Sequence, residues 1–169
     1  MIAYKELPKV PRVHGDIEGV FVGMKLASRG ETAALGLHCS MLSGIDSLKG
    51  DACYAVCASG GYSSNEYAKN GSFWYTGAGG QKGRRQVHDQ DENADNQSLL
   101  LSVRRGTPVH VLRGFYIGRN RKMYHYEGLF KCTKYEYVPS TDVPMVYRFH
   151  LVPIPGKVVL LEKRRRDNR

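Results

Sequence analysis

Two tyrosines, Tyr62 and Tyr75, each lie beside a glycine run within one stretch, Ala58 to Gly80, which reads A-S-G-G-Y-S-S-N-E-Y-A-K-N-G-S-F-W-Y-T-G-A-G-G. Gly60-Gly61 precede Tyr62, and Tyr75-Thr76-Gly77-Ala78-Gly79-Gly80 closes the segment. Glycine lets backbone approach a ligand closely or take up positive φ. Two aromatic rings flanking a polar loop suit a flat polar heterocycle gripped between them. A nucleobase is such a heterocycle, and stacking on aromatics is how proteins hold bases taken out of the stack. The other reading of the same residues is a glycine-rich hairpin whose tyrosines pack on the core.

Other chemistry finds less support. Six histidines, His14, His38, His88, His110, His125 and His150, are scattered, and His110 and His150 fall within strand patterns. His88-Asp89-Gln90 invites a nuclease reading, but the further histidine, asparagine and metal ligands of an HNH-type site are missing nearby. There is no nucleophile elbow, phosphate loop or zinc-deaminase signature. Of four cysteines only Cys53 and Cys57 are close, and no second ligand pair accompanies them. A zinc site needs about four ligands, so these thiols read as buried strand residues. No catalytic residue, metal or cofactor is expected. The chain reads as a binding domain rather than an enzyme.

With 169 residues the chain is long enough for one domain with a sizeable core. The formal net charge of +9, from 25 Lys and Arg against 16 Asp and Glu, implies a polyanionic partner or an acidic surface, and nucleic acid fits. Part of the excess is the run Lys163-Arg164-Arg165-Arg166, which reads as a localisation patch, a phosphate-binding tail or a solvated end. No apolar run is long enough to cross a bilayer, so no membrane is expected. Met1 to Pro8 lack a basic flank followed by an apolar core, so a secretory signal is not expected. With no regular cysteine framework, a reducing compartment is expected.

The elements that must position the two tyrosines are mostly short strands. Residues 1–14, with Pro8 and Pro11 among charges, read as an extended lead-in, and a first strand is expected near Met24–Ser28. Leu35–Ser43 reads as a strand running into a loop, and Tyr54–Ser59 and Ser72–Thr76 as strands on either side of the tyrosine loop. Gln81–Gln86 is polar, basic and exposed in character. From Asp91 the pattern turns helical. Leu99, Leu100 and Val103 share a face, Arg104-Arg105 lie at the end, and Gly106 then Pro108 stop it. Val109–Arg113, Leu129–Tyr137, the alternating Tyr147, Phe149 and Leu151, and Lys157–Leu161 complete the strands. One clear helix among many strands predicts an α+β, mainly β barrel or sandwich with flanking helices.

These pieces together resemble the SRA domain (SET- and RING-associated, also called YDG), a reader of modified cytosine. The resemblance runs from about Val10 to Pro155. It rests on H-C-S-M-L-S-G-I-D from His38, S-G-G-Y from Ser59, Y-T-G-A-G-G from Tyr75 and Asp89-Gln90. It continues through P-V-H-V-L-R-G from Pro108, Y-E-G-L-F-K from Tyr126 and Y-R-F-H-L-V from Tyr147. It implies a twisted, crescent-like β-barrel with helices against it, and binding of duplex DNA with a methylated cytosine flipped into a pocket.

By this resemblance Tyr62 and Tyr75 sandwich the base, with Gly61 beside the first. Thr76, Gly77 and Ala78 form the wall at the base edge and the 5-methyl group. The chain departs from the family after Tyr62, where Ser63-Ser64-Asn65-Glu66 replace the usual acidic residues and the loop before Tyr75 is one residue longer. Asn65 falls at the acidic position that accepts from cytosine N4; Glu66 is the alternative after the insertion, and a third reading leaves both away from the base. An asparagine amide matches cytosine and, flipped, thymine. Leu42 matches the thumb, where a side chain fills the hole left by the base; the other reading is a core leucine. Lys82, Arg84 and Arg85 belong to a short finger loop that holds phosphates or reaches a guanine edge. Tyr126-Glu127-Gly128 is taken as a scaffold motif.

The resemblance implies a double-stranded DNA partner with 5-methylcytosine, or 5-hydroxymethylcytosine. It also implies a nuclear location if the source is eukaryotic, and histone- or chromatin-acting modules in a parent chain. The alternatives are the specificity domain of a modification-dependent restriction nuclease and a β-barrel that binds nucleic acid by charge alone. The expected layout is a lead-in over 1–14, the domain over 15–162 and a basic tail over 163–169.

Overall fold

In the computed structural model, which describes residues 10–59 and 68–161, short elements come first and three long strands follow the second helix. In order they are β1 (Lys25–Leu26), α1 (Arg29–Ala34), β2 (Ile45–Asp46), β3 (Ala55–Ser59), β4 (Phe73–Thr76), β5 (Gln81–Lys82), β6 (Arg85–Gln86), α2 (Ala94–Arg105), β7 (Pro108–Ile117), β8 (Arg121–Pro139) and β9 (Met145–Val158). Seven strands form one sheet in the order β2-β3-β7-β8-β9-β4, with β1 paired to β8; β5 and β6 form a separate hairpin. Among the described strands only β3 and β7 run parallel. The expectation of a mainly β fold with helices against it is met by this curled, half-barrel sheet.

The sheet is covered on both faces. Val56 and Ala58 join a core with Leu99, Val109, Phe130, Phe149 and Leu151, while Cys57 between them joins a second core with Leu26, Leu37, Leu112 and Tyr126. Successive strand residues point to opposite faces, so both cores are reached by the same strands. Register shifts in β8 between Gly128 and Phe130, and between Cys132 and Lys134, bend the long strand. At the first, Gly128 has φ +117, and a Cβ there would lie 2.0 Å from the Lys157 carbonyl oxygen. Its neighbour Glu127 is fully buried and pairs with Arg113 at 3.1 Å. Tyr126, Glu127 and Gly128 are therefore framework.

Three expectations need correction, and a first helix joins the one expected. Residues 29–34 are helical, because Ser28 caps the turn by accepting from the Glu31 amide at 3.2 Å, and Glu31 accepts from Ala27 N at 2.7 Å. Leu35–Ser43 is not a strand. Its backbone is satisfied by Thr32, Arg29 and Asp46 instead of a neighbouring strand. Gln81–Gln86 is a hairpin turning at Gly83, whose φ is +62. Lys157–Leu161 is not a separate strand; β9 runs on to Val158. The second helix is close to its expected span, starting at the Asn93 cap and ending on Gly106 in the left-handed region.

His110 is buried in this frame. Its ring lies 2.7 Å from the Tyr126 hydroxyl through Nδ1 and 3.0 Å from the Val13 carbonyl through Nε2. A neutral ring that donates to the Val13 carbonyl accepts from the Tyr126 hydroxyl. Burial, first, holds the His110 pKa below its ordinary value, and burial does the same for His38. The unfolded chain then binds more protons than the folded one as pH falls below about 6.5, so stability is full above that pH and declines below it. Thermal melts from pH 7.5 to 5.5 should show a falling Tm, steepest below 6.5, with a slope of up to about 1.4 kcal/mol per pH unit for each histidine. A Tm that stays level across this window would contradict neutral, buried rings.

Candidate functional site

The Y-T-G-A-G-G segment leaves β4 with its alternation intact. Phe73 and Tyr75 face the core, and Tyr75 pairs with Phe149 across the sheet. After Thr76 one backbone bond to β9 remains, Gly77 N to Tyr147 O at 2.8 Å, and amide side chains hold the rest. Gln90 Nε2 donates to Gly77 O at 2.8 Å, and its Oε1 accepts from Tyr147 N at 2.9 Å. Asn96 Oδ1 accepts from Ala78 N at 2.9 Å, and its Nδ2 donates to Ala78 O at 3.0 Å. Asn93 Nδ2 donates to the same carbonyl at 3.0 Å, and Gln86 Nε2 donates to Gly79 O at 2.8 Å. Gln90 and Asn96 are buried. A Cβ on Gly77 would lie 2.4 Å from Asn96 Oδ1, so this glycine is required by crowding.

The sequence reading placed Asp89-Gln90 in a motif but assigned none of these amides a task. The available signal was the pair Asn93 and Asn96 at a helix start, where an asparagine caps. Asn96→Ala leaves the Ala78 amide and the Asp91 carbonyl, which also accepts from Asn96 at 2.8 Å, without this partner. The expected cost is roughly 1–3 kcal/mol for each stranded group. It is read as a lower midpoint in urea unfolding, and an unchanged midpoint would mean the clamp is dispensable.

The loop carrying Leu42 is pinned as firmly. His38 lies 3.2 Å from Ser40 O through Nδ1 and 3.0 Å from Gly44 O through Nε2. Arg29 Nη2 donates to Ser40 O at 2.9 Å and also to Ser43 O. The Ser43 hydroxyl donates to Asp95 Oδ2 at 3.2 Å, and the Ser47 hydroxyl to Asp95 Oδ1 at 2.6 Å. Asp46, fixed by Arg12, accepts from Cys39 N at 3.0 Å. On this braced loop the Leu42 side chain is 99% exposed. The reading of Leu42 as a core residue is excluded.

The first turn of α2 thus joins two loops. Asp95 holds the Leu42 loop, while Asn93 and Asn96 hold the Gly77–Gly79 backbone. The loops also meet directly, since a Cβ on Gly44 would lie 2.4 Å from the Tyr75 hydroxyl. The β5–β6 hairpin is tied to the same place by Gln86, with Lys82, Arg84 and Arg85 exposed on it. Tyr75, Thr76, Gly77, Ala78, Leu42 and the hairpin cations are therefore brought to one region. Gly61, Tyr62, Asn65 and Glu66 lie outside the described residues.

Among the described residues thiol and metal chemistry find no footing here. All four cysteines are free, and burial pushes the Cys53, Cys57 and Cys132 thiols up, Cys132 to about 12. Among the described residues no three His, Cys, Asp or Glu side chains group to hold a metal. A cavity of about 410 Å³ lies between α2 and β8, lined by Leu100, Leu101, Val103 and Tyr135 among others, and shares no lining residue with these loops.

Comparison with known proteins fits this geometry. The family model for the SAD/SRA domain matches residues 13–157. A YDG domain-containing protein of Arabidopsis thaliana is 32% identical over 152 residues, covering 86% of this chain and 46% of its own. The H3 lysine-9 specific histone-lysine N-methyltransferase SUVH5 of the same plant is 31% identical over 170 residues, covering 90% of this chain and 21% of its own. The chain thus spans less than half the length of these curated relatives. The SUVH5 SRA domain in complex with fully methylated CG DNA superposes with a TM-score of 0.76 at 31% identity, covering 89% of this chain and 99% of that one. The modification-dependent restriction endonuclease TagI superposes with a TM-score of 0.77 at 30% identity, covering 86% of this chain and 54% of its own.

Proposed function

The chain belongs to the SAD/SRA domain family, and on that premise we propose that it binds duplex DNA carrying 5-methylcytosine or 5-hydroxymethylcytosine and holds the extruded base between Tyr62 and Tyr75. The observation that carries this reading is Leu42. A leucine held 99% in solvent by a braced loop that abuts Tyr75 suits a wedge that fills the space a flipped base leaves. Stacking on an aromatic is worth about 1–3 kcal/mol per base, which offsets the few kcal/mol of extrusion. Ala78 supplies an apolar wall for the 5-methyl group, worth about 0.8 kcal/mol, or roughly fourfold in affinity. A larger preference must come from shape or from hydrogen bonds at the base edge, where Asn65 or Glu66 is the reader.

Residues 15–162 act in this reading as the DNA-binding unit, with 1–14 and 163–169 as flanking arms. The unit does no chemistry of its own. Its relation to SUVH5 favours a chromatin protein with a nuclear location and a histone-acting module in a parent chain. Its likeness to TagI supports a second reading, the specificity domain of a modification-dependent nuclease.

The test is fluorescence-polarisation binding to one short duplex, unmodified, hemimethylated, fully methylated or hydroxymethylated, at one salt concentration. Tighter binding to a modified duplex is expected. Equal binding to all four would reduce the protein to a charge-driven binder. Leu42→Ala should weaken binding to the preferred duplex by about 1–2 kcal/mol, roughly tenfold, from the apolar surface it no longer buries. Its melting temperature should not move, because the side chain touches solvent in the free protein.

A further inference from the structure

The β7–β8 hairpin ends in a run that no assigned contact uses. Tyr116-Ile117-Gly118-Arg119-Asn120-Arg121-Lys122 holds three cations and no acid. Tyr116 through Arg121 are exposed. Among the described residues none of Arg119, Arg121 and Lys122 is paired with a carboxylate. Instead the cations rest against rings. Lys122 Nζ lies 5.9 Å from the Tyr116 ring centroid and 5.7 Å from that of Tyr124. The Arg29 guanidinium lies 5.9 Å from the same Tyr124 ring. Arg29 in turn donates to Ser40 O and Ser43 O, the carbonyls on either side of Leu42. The hairpin tip, Tyr124, Arg29 and the Leu42 loop therefore form one continuous ladder.

We infer that the tip of the β7–β8 hairpin is a further phosphate-binding surface, in which Arg119, Arg121 and Lys122 grip the backbone of the duplex beside the Leu42 wedge. This rests on the DNA-binding reading above. Cations that no carboxylate neutralises remain free to replace counterions on a phosphate chain, and such contacts are independent of sequence and of base modification. The ring faces hold the lysine stem in place without cancelling its charge. The ladder sets the direction, because it ends on the loop that carries the wedge.

The experiment uses the whole chain as Arg119→Gln/Arg121→Gln and, separately, as Lys122→Gln. Each is titrated with a methylated and an unmodified duplex over a range of salt concentrations. The slope of log K against log salt should fall in magnitude by about 0.9 for each contact removed, so by about 1.8 in the double variant. At fixed salt both duplexes should weaken by a common factor on the order of ten, leaving the ratio between them intact. A charge-matched variant on α2, Arg104→Gln/Arg105→Gln, should keep the original slope. The assignment is overturned if the hairpin variants keep the parental slope, or if the α2 variant loses as much. A parent protein with no preference for the methylated duplex would sink the base-reading proposal alone, because the slopes on unmodified duplex still decide the hairpin.

Discussion

Tyr62→Ala is expected to remove the preference for a modified duplex while leaving binding to an unmodified one nearly unchanged. The ring contributes to affinity only when a base lies against it. Stacking of about 1–3 kcal/mol per base corresponds to a loss of roughly fivefold to 150-fold. Affinity for unmodified DNA comes chiefly from phosphate contacts, which the substitution does not touch. Tyr62→Phe keeps the ring and should retain most of the preference, so a loss as large as that of the alanine variant would point to the hydroxyl instead of stacking. The matching experiment at Tyr75 is less clean. Tyr75 is only 5% exposed and packs in the main core, so its truncation also opens a cavity, at about 3–5 kcal/mol for a large aromatic. Polarisation titrations with paired modified and unmodified duplexes, at one salt concentration, read the difference directly.

Glu127→Ala should have the largest effect on stability. The Glu127 carboxylate is fully buried and accepts from Arg113 Nε at 3.1 Å, and the Arg113 guanidinium also stacks 5.1 Å from the Phe73 ring centroid. Removing the acid takes its carboxylate partner from a buried guanidinium between β7 and β8. Breaking a pair of this kind costs about 3–5 kcal/mol, a large share of the roughly 5–15 kcal/mol that keeps a domain folded. For a chain of this size each kcal/mol lowers Tm by about 2–4 °C, so a fall on the order of 10 °C is expected in thermal melts. Replacing both partners, as Arg113→Met with Glu127→Leu, should recover much of the loss, because no charge is then left buried. A Tm within about 2 °C of the parent for Glu127→Ala would mean that water or another group compensates the arginine.

Local rules carried much of the fold. Alternation at Tyr147, Phe149 and Leu151 marked the centre of β9, and Phe73 to Thr76 marked β4. The stop of α2 at Gly106 followed from the glycine and Pro108, while its start, expected from Asp91, is set by the Asn93 cap. The first helix was also legible, since Ser28 and Glu31 stand three residues apart, but six residues do not carry enough apolar periodicity to compete with the glycines around them. Leu35–Ser43 looked like a strand because Leu35, Leu37, Cys39 and Met41 alternate. Arg29, Thr32 and Asp46 took up its backbone groups instead, which no local pattern reveals.

The candidate site divides along the same line. By itself the sequence, with its resemblance to the SRA family, proposed which residues belong to it. Two tyrosines beside glycine runs, the Y-T-G-A-G-G wall, Leu42 between serines, and three hairpin cations are properties of residue type and spacing, set by local sterics and chemistry. Only the tertiary structure decided that Tyr75, the wall after it, Leu42 and the hairpin cations meet. Asn96 reaches Ala78 across 18 positions of sequence, Asp95 reaches Ser43 across 52, and Arg12 reaches Asp46 across 34. Those contacts exist because the bent sheet and the first turn of α2 bring distant backbone into hydrogen-bonding range. The same convergence holds Leu42 in solvent, where its hydrophobic side chain alone would have predicted burial.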